Sequence, residues 1–179
     1  MIFYPDEYIE NIEDISIDFL KENNIKGIII DSDNTVIDYD KKVPERIKKW
    51  CENLKKEGIK FCLLSNSNNK EKVENAAKVL DIPYFYFARK PSKNGYKKAI
   101  KNLKEQDNTI EIENIAGVGD QVFTDVLGAN RSKLFSILIK QIDDRDLKIT
   151  RWKRPMERKF IEGYLKKKNK IDNKDKNKD

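Results

Sequence analysis

Short apolar runs alternate with charged stretches of helical period along most of the chain. Gly27–Ile30 is a compact, isoleucine-rich run that stops at Asp31, and it predicts a strand. Pro44 to Lys56 places Ile47, Trp50 and Leu54 on one face, with Gly58 just past its end, and predicts a helix. Ile59–Leu64 predicts a second strand, Lys70–Leu80 a helix aligning Val73, Ala77 and Leu80, and Tyr84–Phe87 a third strand. Gly95–Leu103 reads as helix, Asn114–Val118 as a fourth strand, Val122–Asn130 as a helix and Leu134–Ile139 as a fifth strand. Ahead of these, Tyr4, Tyr8, Ile12, Ile15 and Phe19 suit an amphipathic helix or a loop docked on the body.

Strands that alternate with helices imply βαβ units and a parallel sheet covered on both faces. The expected fold class is therefore α/β, a three-layer doubly wound (Rossmann-like) arrangement. Ligands of such folds bind beyond the carboxyl ends of the strands. The polar residues obey that rule. Asp31, Ser32, Asp33, Asn34 and Thr35 follow the first strand, and Ser65, Asn66 and Ser67 the second. Arg89 and Lys90 follow the third, and Gly119, Asp120 and Gln121 the fourth.

Composition narrows the chemistry. The 179 residues suit one domain, expected over residues 1–165, with a Lys/Asn/Asp-rich tail from 166 to 179 expected to be disordered. There is no histidine, which excludes a Ser-His-Asp triad, a Cys-His dyad and histidine-containing zinc sites. Cys51 and Cys62 form no disulfide framework, and Cys62 reads as a small core residue. No run approaches the length of a membrane span or a signal peptide, so a cytoplasmic location is expected. Residues 145–179 hold 14 basic against 6 acidic side chains, so the +6 of the whole chain leaves residues 1–144 at −2. The basic stretch reads as a solubilising tail or as a patch for anionic lipid, and nucleic acid is not the expected partner.

Several carboxylates around one point repel one another unless a cation lies between them, and oxygen donors favour magnesium. A hydroxyl and a lysine beside such a cation make an anion site suited to a phosphoryl group. One carboxylate can then serve as nucleophile, and a second, two residues on, can move protons. Taken singly, each of these residues is an ordinary turn or cap residue. Their joint arrival at successive strand ends carries the reading.

The string Asp31-Ser32-Asp33-Asn34-Thr35 resembles the Asp-x-Asp-x-Thr motif of haloacid dehalogenase (HAD) superfamily phosphatases. Ser65, Lys90 in Arg89-Lys90-Pro91, and Gly119-Asp120-Gln121-Val122-Phe123-Thr124-Asp125 resemble the three further motifs, in order. The resemblance implies Asp31 as nucleophile and metal ligand, and Asp33 as general acid/base that also offers its carbonyl to the metal. It implies Asp120 as a further ligand of Mg2+ and Asp125 behind it. Thr35, Ser65, Asn66 and Lys90 would hold the phosphoryl group. Ser65-Asn66, Ala88-Arg89-Lys90-Pro91, Thr124-Asp125, Thr150-Arg151 and Glu157-Arg158 are similar to the YqeG-like branch, subfamily IIIA, related to phosphatidylglycerophosphate phosphatases. Ser67 departs from that branch, which has asparagine there.

The segments after Thr35 and after Ser65 are too short for the large cap domain many relatives carry. An open site suits a large phosphorylated substrate, such as a phospholipid head group reached by peripheral membrane contact through the basic C-terminal region. Arg151, Arg154 and Arg158 are candidates to assist with an anionic substrate. Soluble sugar phosphates, nucleotides or polynucleotide ends are the alternative substrates. An idle phosphate-sensing module is the alternative of another class, disfavoured because Asp31, Asp33, Lys90 and Asp120 are all present.

Overall fold

The structure is a computed structural model and describes residues 2–142 and 159–168. Six strands form one parallel sheet: β1 (Glu7–Ile9), β2 (Gly27–Ile30), β3 (Lys60–Leu64), β4 (Tyr84–Phe85), β5 (Ile115–Gly119) and β6 (Phe135–Ile139), in the order β1-β6-β5-β2-β3-β4. Five helices are α1 (Ile17–Glu22), α2 (Glu45–Lys56), α3 (Lys70–Leu80), α4 (Lys93–Gln106) and α5 (Leu127–Arg131), and residues 159–168 form a sixth.

Alternation along the strands explains the three layers. Successive side chains leave a strand on opposite faces. Ile28 and Ile30 join one core with Phe61, Leu63, Ile47, Trp50, Leu54, Val73 and Leu80, under α2 and α3. Ile29 joins the other with Cys62, Leu64, Tyr96, Leu103 and Ala129, under α4 and α5. The four residues of β2 are all buried, as a central strand covered on both faces requires. Trp50 belongs to the first core, as its helix face predicts: its ring packs edge-on to Phe61 and its Nε1 donates to the Ile15 carbonyl at 3.0 Å. Cys51 and Cys62 are free and buried, and burial pushes both thiols up to about 12.

Three sequence expectations need correction. The N-terminal segment contributes an edge strand, β1, pairing Glu7–Ile9 with Ile137–Ile139, and only then a 3-10 turn and α1. The third predicted strand stops at Phe85, because Phe87 (φ 51°) and Arg89 (φ 55°) adopt left-handed backbone that cannot continue a ladder. Tyr84 and Phe85 pack against the cores, whereas Tyr86 and Phe87 are exposed. The sixth helix takes in residues 166–168, which the sequence assigned to the tail, and Lys168 Nζ lies 2.5 Å from Glu7 Oε2. Thr150, Arg151, Arg154, Glu157, Arg158 and residues 169–179 lie outside the described residues.

Strands β3 and β4 lie to one side of β2, and β5, β6 and β1 to the other. The chain thus reverses its winding between β2 and β5, the crevice position in doubly wound folds. Among the described residues no large cap interrupts the crevice: α3 alone lies between β3 and β4, and a short loop links β2 to α2. Among the described residues no helix is long and apolar enough to cross a membrane.

Candidate active site

Asp31 extends β2 by one residue, its N–H donating to the Val118 carbonyl at 2.9 Å, so its carboxylate emerges at the reversal point. The chain then turns sharply. The N–H groups of Val36 and Ile37 both donate to the Ser32 carbonyl, at 3.0 and 2.8 Å, and Asn34 takes left-handed backbone (φ 59°), which asparagine tolerates. This turn buries Thr35, whose hydroxyl lies 3.5 Å from Asp31 Oδ2.

Lys90 reaches the same point from the loop after β4. Its Nζ donates to Asp31 Oδ1 and, at 2.7 Å, to Asp125 Oδ1. The Asn66 side chain fixes the Lys90 backbone. Its Oδ1 accepts from Lys90 N at 2.6 Å and its Nδ2 donates to Lys90 O at 3.1 Å, beside a cis Lys90–Pro91 bond. Asn66 therefore clamps the backbone of Lys90 at the crevice. The buried Ser65 hydroxyl accepts from Ser67 N at 3.0 Å and lies 2.6 Å from Ser32 Oγ.

Asp120 follows β5, and Asp125 lies in the single wide π-turn Val122–Val126 that precedes α5. Asp125 is braced on both oxygens, since Oδ2 accepts from Gln121 N at 3.1 Å while Oδ1 takes Lys90. Its carboxylate packs directly on Gly119, where an added Cβ would sit 2.3 Å from Asp125 Cγ. Gly128 similarly makes room for the Tyr96 ring, and Tyr96 donates from its hydroxyl to the Asp125 carbonyl at 3.1 Å.

Asp31, Asp120 and Asp125 each present an oxygen within 4.8 Å of the others, and all three are buried. One ammonium, Lys90, offsets part of that charge. Burial above all pushes the Asp31 carboxyl up to about 7, with the charges of Asp125 and Asp33 adding and Lys90 opposing. Burial works against the charge on Lys90, but Asp125 and Asp31 outweigh it and hold its pKa above that of an ordinary lysine. A buried, oxygen-only, net-negative donor set fits a hard divalent cation.

The structure thus gathers Asp31, Thr35, Ser65, Lys90, Asp120 and Asp125 at one crevice. The Asp33 carboxylate stands apart from the trio, paired through Oδ1 with Lys72 Nζ at 2.5 Å. Lys72 was not legible as a site residue, because a lysine in the first turn of a charged helix reads as solvated. Its place seven residues after Ser65 is the one sequence signal that it faces the crevice.

The chain matches the family described as "Mitochondrial PGP phosphatase" over residues 1–142. It is 39% identical over 166 residues to "Probable phosphatase YqeG" of Bacillus subtilis, covering 92% of this chain and 93% of that one. A hydrolase of the haloacid dehalogenase-like family from Brucella suis shares the fold, with TM-score 0.53 and 13% identity over 68% of this chain and 90% of that one. So does the cobalt-bound deoxy-D-mannose-octulosonate 8-phosphate phosphatase of Haemophilus influenzae, with TM-score 0.50 and 22% identity over 66% and 70%.

Proposed function

Because the chain belongs to the PGP phosphatase family of HAD-type hydrolases and is a phosphatase, we propose that it hydrolyses the terminal phosphomonoester of phosphatidylglycerophosphate through an aspartyl-phosphate on Asp31. The observation that carries the mechanism is the buried meeting of Asp31, Asp120 and Asp125, with Lys90 bridging Asp31 and Asp125. An Asp31 oxygen forms a bond to phosphorus as the bond to the leaving oxygen breaks, and Asp33 gives that oxygen its proton. Water then attacks the phosphorus, Asp33 takes the water's proton, and Asp31 is regenerated as inorganic phosphate leaves. Lys90 favours the ionised form of Asp31 against its burial and aims it, while Thr35 and Ser65 offer hydroxyls to the phosphoryl oxygens. Asp31, Asp120 and the Asp33 carbonyl would hold Mg2+, which supplies positive charge to the phosphoryl oxygens when bound. Asp125 orients this set through Lys90 and Gln121.

The absence of a large cap favours a substrate too large to be enclosed. A lipid head group at an anionic surface meets that condition, and the basic stretch after residue 144 adds attraction to such a surface. The expected seat of action is the cytoplasmic face of a membrane.

Phosphate release from phosphatidylglycerophosphate micelles and from p-nitrophenyl phosphate, with and without Mg2+, tests this reading. Magnesium-dependent release that favours the lipid supports it. Release from the soluble ester alone removes the lipid from the proposal and leaves the chemistry.

Metal binding also has a pH signature. Asp31 has its carboxyl raised above the ordinary 3.8, so its ionisation in the metal-free fold costs stability as pH rises toward about 7. Magnesium needs the ionised form and competes with that proton. At ~100 times Kd a ligand adds about 2.7 kcal/mol, or about 5–10 °C in Tm for a chain of this size. We expect that rise near pH 8 and a much smaller one near pH 5.5. Equal rises at both pH values in thermal melts would remove Asp31 from the ligand set.

A further inference from the structure

Lys72 is held at the crevice by two anchors. Its backbone N–H donates to the Asn69 side chain at the start of α3, at 3.0 Å, and its Nζ lies 2.5 Å from Asp33 Oδ1. The pair is largely shielded, with side-chain exposures of 15% for Lys72 and 26% for Asp33. Among the described residues, Lys90 and Lys72 are the cations in contact with the aspartates of this crevice. They differ in commitment. Lys90 is buried between two carboxylates, while Lys72 has one carboxylate partner and a flexible stem at the rim.

The pairing is at odds with catalysis as long as it persists. The Asp33 oxygen that Lys72 holds is occupied by that ammonium, and proton transfer to a leaving oxygen needs hydrogen-bond reach to it. Something must draw Lys72 off. In the mechanism proposed above Asp33 serves the leaving group, which puts Lys72 on that side too, one carboxylate away. An anionic group on the leaving portion of the substrate is a competing partner for the ammonium, and the first turn of α3 adds a favourable dipole.

We propose that Lys72 is a specificity-determining residue that exchanges Asp33 for a second anionic group on the leaving portion of the substrate, thereby freeing Asp33 for proton transfer. This rests on the phosphatase mechanism proposed above. It selects phosphomonoesters whose leaving group carries a further negative charge, such as an internal phosphodiester, over esters of neutral alcohols.

The test compares two soluble substrates on the full chain with Mg2+: glycerol 3-phosphate, whose leaving group is neutral, and glycerophosphoglycerol phosphate, whose leaving group bears a phosphodiester. The wild type is expected to favour the second by at least tenfold in kcat/KM. Lys72→Met should cut that preference about tenfold or more, and Lys72→Arg should retain most of it. A Lys72→Met variant that slows both substrates equally has lost only structural support, and overturns the inference. A wild type that turns over both without preference overturns it as well while leaving the mechanism standing. A wild type inert on both removes the phosphatase reading on which the inference depends.

Discussion

Asp31→Asn is expected to lose turnover by roughly 10^4- to 10^6-fold, the scale on which removal of an activated nucleophile acts, with the fold retained. Asparagine keeps the size and one oxygen of the side chain, and Asp31 supports the sheet through its backbone N–H, which the substitution does not touch. The buried carboxyl, raised to about 7, is no stabilising group at neutral pH, so its removal should not lower Tm by more than a few degrees. Phosphate release and a thermal melt on the same sample check both halves. Asp33→Asn separates the two chemical steps. It leaves the nucleophile in place, so brief exposure to substrate should add a phosphoryl group to the protein, visible by intact mass, while release becomes slow. Near-wild-type turnover in Asp31→Asn would refute the nucleophile assignment.

Lys90→Met should damage both activity and stability. Lys90 is 7% exposed and sits between two buried carboxylates. Removing one partner of a buried ion pair costs about 3–5 kcal/mol, because the remaining charges stay desolvated. Without the ammonium, the Asp31 carboxyl moves further above its unfolded value, so the stability it contributes exists in acid and is lost as pH rises through the folded pKa. The deficit relative to wild type should therefore be larger near pH 8 than near pH 5.5 in urea titrations, and Mg2+ should recover part of it. Turnover should fall by about 10^3-fold, as when a preorganised donor to developing charge is removed. A variant as stable as wild type at pH 8 would show that the crevice carboxylates need no lysine.

Much of this was readable in the chain because the fold announces itself locally. β2, β3, β5 and β6 are isolated apolar runs, and α3 spans the predicted Lys70–Leu80. The first polar residue after each run then marks the crevice, which brought out Asp31, Ser65 and Asp120. β1 was not readable: three residues, Glu7-Tyr8-Ile9, carry no period of their own, and their pairing is to residues 137–139. Residue type likewise does not reveal which partner a side chain chooses. Asn66 clamps the Lys90 backbone and Lys72 holds Asp33, and neither pairing follows from residue type. The early stop of β4 depends on left-handed backbone at Phe87 and Arg89, a conformation neither residue type advertises.

The pairing of β1 with β6 bears on how the molecule assembles. Asp6, just ahead of β1, binds Ser136, 130 positions along the chain, through its main chain and its carboxylate. A ribosome delivers β1 long before β6, so the early strand waits unpaired while β2 to β5 emerge. Contacts this distant in sequence raise the loop-closure cost and slow folding. Closing that edge is a late event, and β6 is the strand next to β5, which carries Asp120 at its carboxyl end. Catalytic competence should therefore arise only after synthesis has passed residue 139, with the half-built sheet offering an open β5 edge to chaperones or to a neighbouring chain until then.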